Sequence, residues 1–135
     1  MAREKLSRYP DVEVKLTAER LQDHVPESPY DCAVASFFFH HFSDAEILRL
    51  IRHLRGYVRH SLLINDLCRT SVAFCTFLFL SPALPGDVCS DGLLSIRRGF
   101  RPRRLRLLLQ EVPDADAEVR CALFSRITAE VRFHR

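Results

Sequence analysis

Glycine is scarce in this chain: there are four in 135 residues, and no two are separated by a single residue. A GxG turn lets backbone approach a nucleotide's phosphates closely, so that form of cradle is excluded within this sequence. The five cysteines, Cys32, Cys68, Cys75, Cys89 and Cys121, are odd in number and scattered. No CxxC and no Cys/His zinc spacing is present, so no metal site is expected. The same scatter, with no leader-like start, fits a reducing, cytoplasmic setting. The apolar run Val72 to Leu80 falls short of the about 20 residues that cross a bilayer, so no membrane partner is expected.

What is present is ordinary for a globular α/β chain. Apolar residues make up 47% and charged residues 27%. One domain over residues 1–135 is expected, large enough to bury a real core. The net charge of +3 is unevenly placed, with Arg97, Arg98, Arg101, Arg103, Arg104 and Arg106 clustered late in the chain. Aromatics do not interleave with them, apart from Phe100, and no nucleic-acid motif accompanies them, so no nucleic-acid partner is expected. Two readings stay open: a solvated helix face, which the composition favours, and a docking patch for an anionic substrate.

Tyr30 to Leu67 carries the clearest pattern. Asp31 to Ala35 is an apolar run between Pro29 and Ser36, which predicts a strand covered on both faces. Ser43 and Glu46 form a capping box. Ile47, Leu48, Leu50, Ile51 and Leu54 then give one apolar helix stripe, with Gly56 placed as a C′ glycine. Leu62 to Ile64 begins a second buried strand ending at Asn65-Asp66. This is a βαβ unit, whose site lies at the carboxyl ends of its strands, here Ser36 to His41 and Asn65 to Arg69.

Around that unit, Ala2 to Arg8 reads as a helix tail, Val12 to Leu16 as a half-exposed strand and Thr17 to His24 as a short helix. Ser71 to Leu80 reads as a buried helix or lid, Ser90 to Gly92 as a turn and Leu93 to Gly99 as a short helix. Pro102 suits the first position of a further helix, whose stripe is Leu105, Leu108, Leu109 and Val112. From Val119 to Phe133 the odd positions are mostly apolar, which predicts two antiparallel strands with a bend near Ser125-Arg126.

Several residues at the strand ends are equipped for chemistry. His40 and His41 lack a third partner for a metal; each is either a proton acceptor or a structural residue. Asp66 is either a substrate contact or a helix N-cap. Arg69 pairs with Asp66 or meets an acidic substrate. Phe37, Phe38 and Phe39 are core or the wall of a site.

DCAVASFFFHHFSDAEILRLIRHL resembles the fourth-strand region of class I S-adenosylmethionine-dependent methyltransferases, which often reads as an aspartate-led apolar strand, a serine, LHHF and an acidic helix start. NDLCRTSVAF and SDGLLSIRRGFRPRRLRLLL resemble the NDLxRxS and HDGxxSxRRAFTxxEL stretches of a bacterial small-molecule branch of that family. The resemblance runs from about Arg3 to the end. It implies an α/β fold: a partial Rossmann-like methyltransferase sheet, third to seventh strands, taken from the order 3-2-1-4-5-7-6, with flanking helices. The cofactor implied is S-adenosylmethionine, with Ser36 and Phe37 beside it and Thr17 or Ala18 at the place of the family's adenine-binding aspartate. The family's glycine-rich loop and ribose-binding carboxylate belong to the part preceding this chain, so a missing N-terminal segment or second chain is an expected partner. The resemblance makes His41 the first and His40 the second choice of base, Asp66 a catalytic residue and substrate contact, and Arg69 a substrate contact. The acceptor implied is a small molecule, aromatic or polyketide-like. The alternative is a non-catalytic remnant acting as an interaction module.

Overall fold

The computed structural model describes residues 14–15, 17–69, 79, 99–122 and 126–134. Strand β1 (Tyr30–Ser36) leads through a 3₁₀ turn (Phe39–His41) to helix α1 (Asp44–Arg55) and strand β2 (Val58–Leu67). Helix α2 (Pro102–Gln110) follows, then the hairpin of β3 (Ala115–Ala122) and β4 (Arg126–Phe133). The sheet order is β1-β2-β4-β3. β1 runs parallel to β2, with Ala33 opposite Leu62 and Ala35 opposite Ile64. The other two pairings are antiparallel, with Ile64 opposite Ala129 and Ala129 opposite Val119. This is the 4-5-7-6 portion of the expected order.

The helices form where the sequence gives them both a start and a buried stripe. Glu46 accepts hydrogen bonds from the Ser43 N–H at 2.8 Å and the Ser43 hydroxyl at 2.6 Å, closing the capping box. Those bonds hold the Glu46 carboxyl below its usual pKa, the hydroxyl bond first. Ile47, Leu48, Leu50, Ile51 and Leu54 are all buried. Pro102 opens α2, where its missing N–H costs nothing, and Leu105, Leu108 and Leu109 are buried. Both stripes join one core with Leu62 and Ile64 of β2, and Ile127, Ala129, Val131 and Phe133 of β4.

Four sequence expectations need revision. β1 is not covered on both faces: Ala33 and Ala35 pack against the core, whereas Val34 is 71% exposed. An apolar run specifies a strand but supplies nothing to cover it, and among the described residues both helices join the core on one side of the sheet. β2 starts four residues early, at Val58, because Gly56 and Tyr57 donate back to His53 and Leu54 and close α1 at once. Gly56 itself is right-handed, with φ −61°, rather than a left-handed C′ residue. An added Cβ there would lie 3.1 Å from the His53 carbonyl oxygen, so close approach is what favours glycine. Thr17 to His24 yields only a 3₁₀ turn (Leu21–Asp23), since Thr17 to Arg20 are exposed and offer no apolar stripe to hold a helix.

Of the expected strand Val12 to Leu16, only Val14 and Lys15 are described, and neither is in a strand. The expectations for Ala2 to Arg8, for Ser71 to Leu80 apart from Phe79, and for Ser90 to Gly99 apart from Gly99 lie outside the described residues.

Ile51 is fully enclosed. Ile51→Ala should therefore cost about 2–5 kcal/mol of folding free energy in chemical denaturation, through lost burial and a residual cavity. Ser43→Ala should cost about 0.5–2 kcal/mol, because the capping box opens at the surface.

Candidate active site

The carboxyl ends of β1 and β2 are tied together by one carboxylate. Asp66, the ninth residue of β2, faces the core side of the sheet and is completely buried. Its Oδ1 accepts from His40 Nδ1 at 2.6 Å and from the Leu67 N–H at 2.7 Å, and its Oδ2 accepts from the His40 N–H at 3.2 Å. A carboxylate oxygen only accepts, so Nδ1 carries the shared hydrogen and Nε2 is the ring nitrogen turned away from Asp66.

His40 reaches Asp66 because the backbone bends sharply after β1. The Phe37 N–H donates to the Asn65 carbonyl at 2.9 Å, and Phe37 then takes φ +50°. A non-glycine residue in that region stores about 1–3 kcal/mol of strain, a common feature of functional sites. The Arg126 guanidinium lies 4.1 Å over the Phe37 ring. The three consecutive phenylalanines diverge: Phe37 is exposed, Phe38 packs at the core's margin and Phe39 is buried.

A cleft of about 620 Å³ opens beside the pair, lined by His40, His41, Phe42, Ser43, Arg69, Gly99, Arg101 and Arg104. His41 is exposed, its ring 3.9 Å from that of His40. Arg69 is fixed by the turn after β2, where its N–H donates to Phe100 at 2.8 Å and Phe100 donates back to Leu67 at 2.8 Å. The structure therefore brings His40, His41, Asp66 and Arg69 to one place. Asp66 is no helix N-cap, because β2 continues through it. It makes no ion pair with Arg69; its partner is His40.

The residues expected beside a cofactor lie elsewhere. Thr17 and Ser36 line a second groove of about 600 Å³ along β1, with Tyr30, Ala33, Ala35 and Tyr57 among its walls. Phe37 sits between the two cavities in sequence but lines neither, and Ala18 is exposed without lining either. A glycine loop is absent from the sequence, and the one carboxylate on the β1 groove, Glu19, bonds His24 at 2.5 Å. These residues do not make up a complete S-adenosylmethionine site. Among the described residues no three His, Cys, Asp or Glu side chains converge as metal ligands, and no helix is long and apolar enough to cross a membrane.

Solved structures share this fold. The plantazolicin methyltransferase BpumL, in complex with a triazolic desmethylPZN analog and SAH, superposes with a TM-score of 0.73 at 12% identity, over 98% of this chain and 64% of its own. The fold is that of the carboxyl-terminal part of a class I methyltransferase domain. The pyocyanin biosynthetic protein PhzM gives a TM-score of 0.67 at 16% identity, over 98% of this chain and 39% of its own. Magnesium protoporphyrin IX methyltransferase ChlM from Synechocystis PCC 6803, with bound SAM, gives 0.58 at 12%, over 98% and 53%. This chain thus spans less than two thirds of the length of each. No family model and no curated protein matches the sequence.

Sequence reasoning missed one pair just past the end of β2. Cys68, two residues past Asp66, is buried, and its sulfur lies 4.0 Å from that of Cys121 on β3. Fifty-three residues separate them in sequence, so only strand pairing reveals the contact. Burial, and then the neighbouring thiol, push the Cys68 pKa from 9.0 up to about 11. The unfolded thiol ionises first, so this group's contribution to stability is complete below pH 9 and is lost as pH rises towards 11. Melting temperature should fall over that interval, and Cys68→Ala should flatten the fall; an unchanged slope in the variant would contradict this origin.

Proposed function

We propose that this chain is the carboxyl-terminal, acceptor-binding part of an S-adenosylmethionine-dependent small-molecule methyltransferase, and that residues 1–135 form a single part-domain. The observation that carries the reading is the buried Asp66–His40 pair opening on a cleft at the strand ends of a methyltransferase fold. The acceptor is a small molecule, aromatic or polyketide-like, in keeping with the branch that the sequence resembles. A cytoplasmic setting, expected from the scattered cysteines, belongs to the same reading.

S-adenosylmethionine, when bound, supplies an electrophilic methyl group already activated on a sulfonium. The work left to this chain is to orient the acceptor and take its proton. Asp66 fixes the His40 ring and its tautomer, so Nε2 of His40 is the base. The reading prefers His40 to His41, the first choice by resemblance, because among the described residues no carboxylate orients His41. His41 then serves as the flanking wall through its ring contact with His40. Ser36, Phe37 and Thr17 are kept as the cofactor-side margin. The glycine loop and the ribose carboxylate come from a further segment or a second chain. The open face of β1, on which Val34 is 71% exposed, supports that requirement.

Two measurements test the reading. Calorimetric titration of this chain alone with S-adenosylmethionine should show no saturable binding at micromolar concentrations; a clean one-site isotherm would overturn the part-domain assignment. In the chain joined to a segment bearing the glycine-rich loop, His40→Ala should lower methyl-transfer turnover about 10²–10⁴-fold. Asp66→Asn should follow it, while His41→Ala stays within about tenfold, with thermal melts run beside each. A greater loss for His41→Ala than for His40→Ala would return the base role to His41.

A further inference from the structure

The cleft beside His40 has one sign of charge. Its described lining contributes three guanidinium groups and two imidazoles, and no carboxylate. The acids nearby among the described residues are already engaged. Asp66 lies under His40, Glu46 is turned to the Ser43 N–H and hydroxyl, and Asp44 takes Arg104 through Nε at 3.2 Å and Nη2 at 2.9 Å. Arg104 is thereby compensated, which leaves Arg69 and Arg101 as the cleft's working cations among the described residues.

Their placement is built into the backbone. Arg69 follows β2 and Arg101 precedes α2, yet a parallel bridge between Cys68 and Phe100 joins the two segments. Reciprocal bonds of 2.8 Å, Arg69 N–H to Phe100 and Phe100 N–H to Leu67, set the spacing of the two side chains. Arg101 occupies the N-cap position of α2 without capping it, so the positive helix end adds to the same region. A solvated arginine face needs neither concavity nor convergence from two segments. This one has both, and it shares its cavity with the proposed base.

We propose that the cleft selects an acceptor carrying an anionic oxygen group, a carboxylate or a phosphate, held by Arg69 and Arg101. The proposal deepens the methyltransferase reading and rests on it for the word acceptor, while the anion site stands on the cleft alone. A planar guanidinium takes two oxygens of such a group at once, fixing its orientation as well as its place. With the anion held at the Arg69–Arg101 end, a hydroxyl on the same molecule is presented to His40.

The test uses this chain as it stands, by calorimetry and by ¹H–¹⁵N correlation of its arginine side chains. The probes are 4-hydroxybenzoate, inorganic phosphate and the neutral 4-hydroxybenzyl alcohol. 4-Hydroxybenzoate should bind saturably and about tenfold or more tightly than the alcohol, the size expected for one charge-assisted pair. Arg69→Gln and Arg101→Gln should each remove that advantage, and Arg101→Lys should keep part of it, with melting temperatures confirming that each variant folds. Competition by phosphate at comparable concentration would assign the subsite to phosphate esters as well; failure to compete would confine it to carboxylates. Equal binding of the benzoate and the alcohol, indifference to both Gln substitutions, or no binding of either anion would overturn the proposal. Arginine-dependent benzoate binding without methyl transfer in the completed protein would instead leave the anion site standing and refute the methyltransferase reading. Methylation of neutral acceptors without anion binding would do the reverse.

Discussion

A fully buried carboxylate is expensive unless its oxygens are satisfied, and Asp66 is satisfied by three N–H groups drawn from two segments. Two of the three belong to one residue, His40, so the 3₁₀ turn after β1 is docked onto the end of β2 through backbone and side chain together. The left-handed turn at Phe37 is the price of bringing it there. Removing the carboxylate would leave the buried His40 N–H without its acceptor and free the imidazole to rotate. The position of the turn, the tautomer of the ring and the rim of the cleft therefore all depend on this one charge.

The sheet around it is unequally finished. On the face away from the helices, β3 and β4 carry ion pairs along each strand, Glu118 with Arg120 and Glu130 with Arg132, both at 2.7 Å. The same face of β1 and β2 presents Val34 at 71% and Leu63 at 41% exposure. A polar half and an apolar half on one open face imply different surroundings: the hairpin is dressed for water, whereas β1 and β2 are dressed for cover. The parallel pair, which in this architecture is ordinarily buried on both faces, is the half without it.

Local devices were legible in the sequence because they act within a few residues. The capping box, the Ile47 to Leu54 stripe, the proline opening α2 and the alternation through Phe133 each state an element and the side it buries. What depended on distant partners was not legible. An apolar run such as Asp31 to Ala35 says that a strand can be covered, not that it is. His40 and His41 are chemically identical neighbours, and a 3₁₀ turn rotates successive side chains by about 120°, so one points inward and the other out. Which one goes in is decided by Asp66, 26 residues away, through a register that only the β1–β2 pairing fixes.

The arginine cluster shows the same division at the surface. Written in a line, Arg101 to Arg106 looks like one solvated face, and for Arg103, exposed beside Leu107 in a shallow groove, that description holds. A helix turns about 100° per residue, however, so neighbours in sequence leave it in different directions. Arg104 crosses to Asp44 and clips the amino ends of α1 and α2 together, an exposed pair worth about 0–1 kcal/mol. Arg106 turns the other way and donates to the Val119 carbonyl at 3.4 Å, over the hairpin. Arg101, just before the first turn, is left on the cleft. Four arginines that composition treats as one patch thus differ in their partners, and of the two that line His40's cavity, Arg104 is taken by Asp44 while Arg101 bears on recognition.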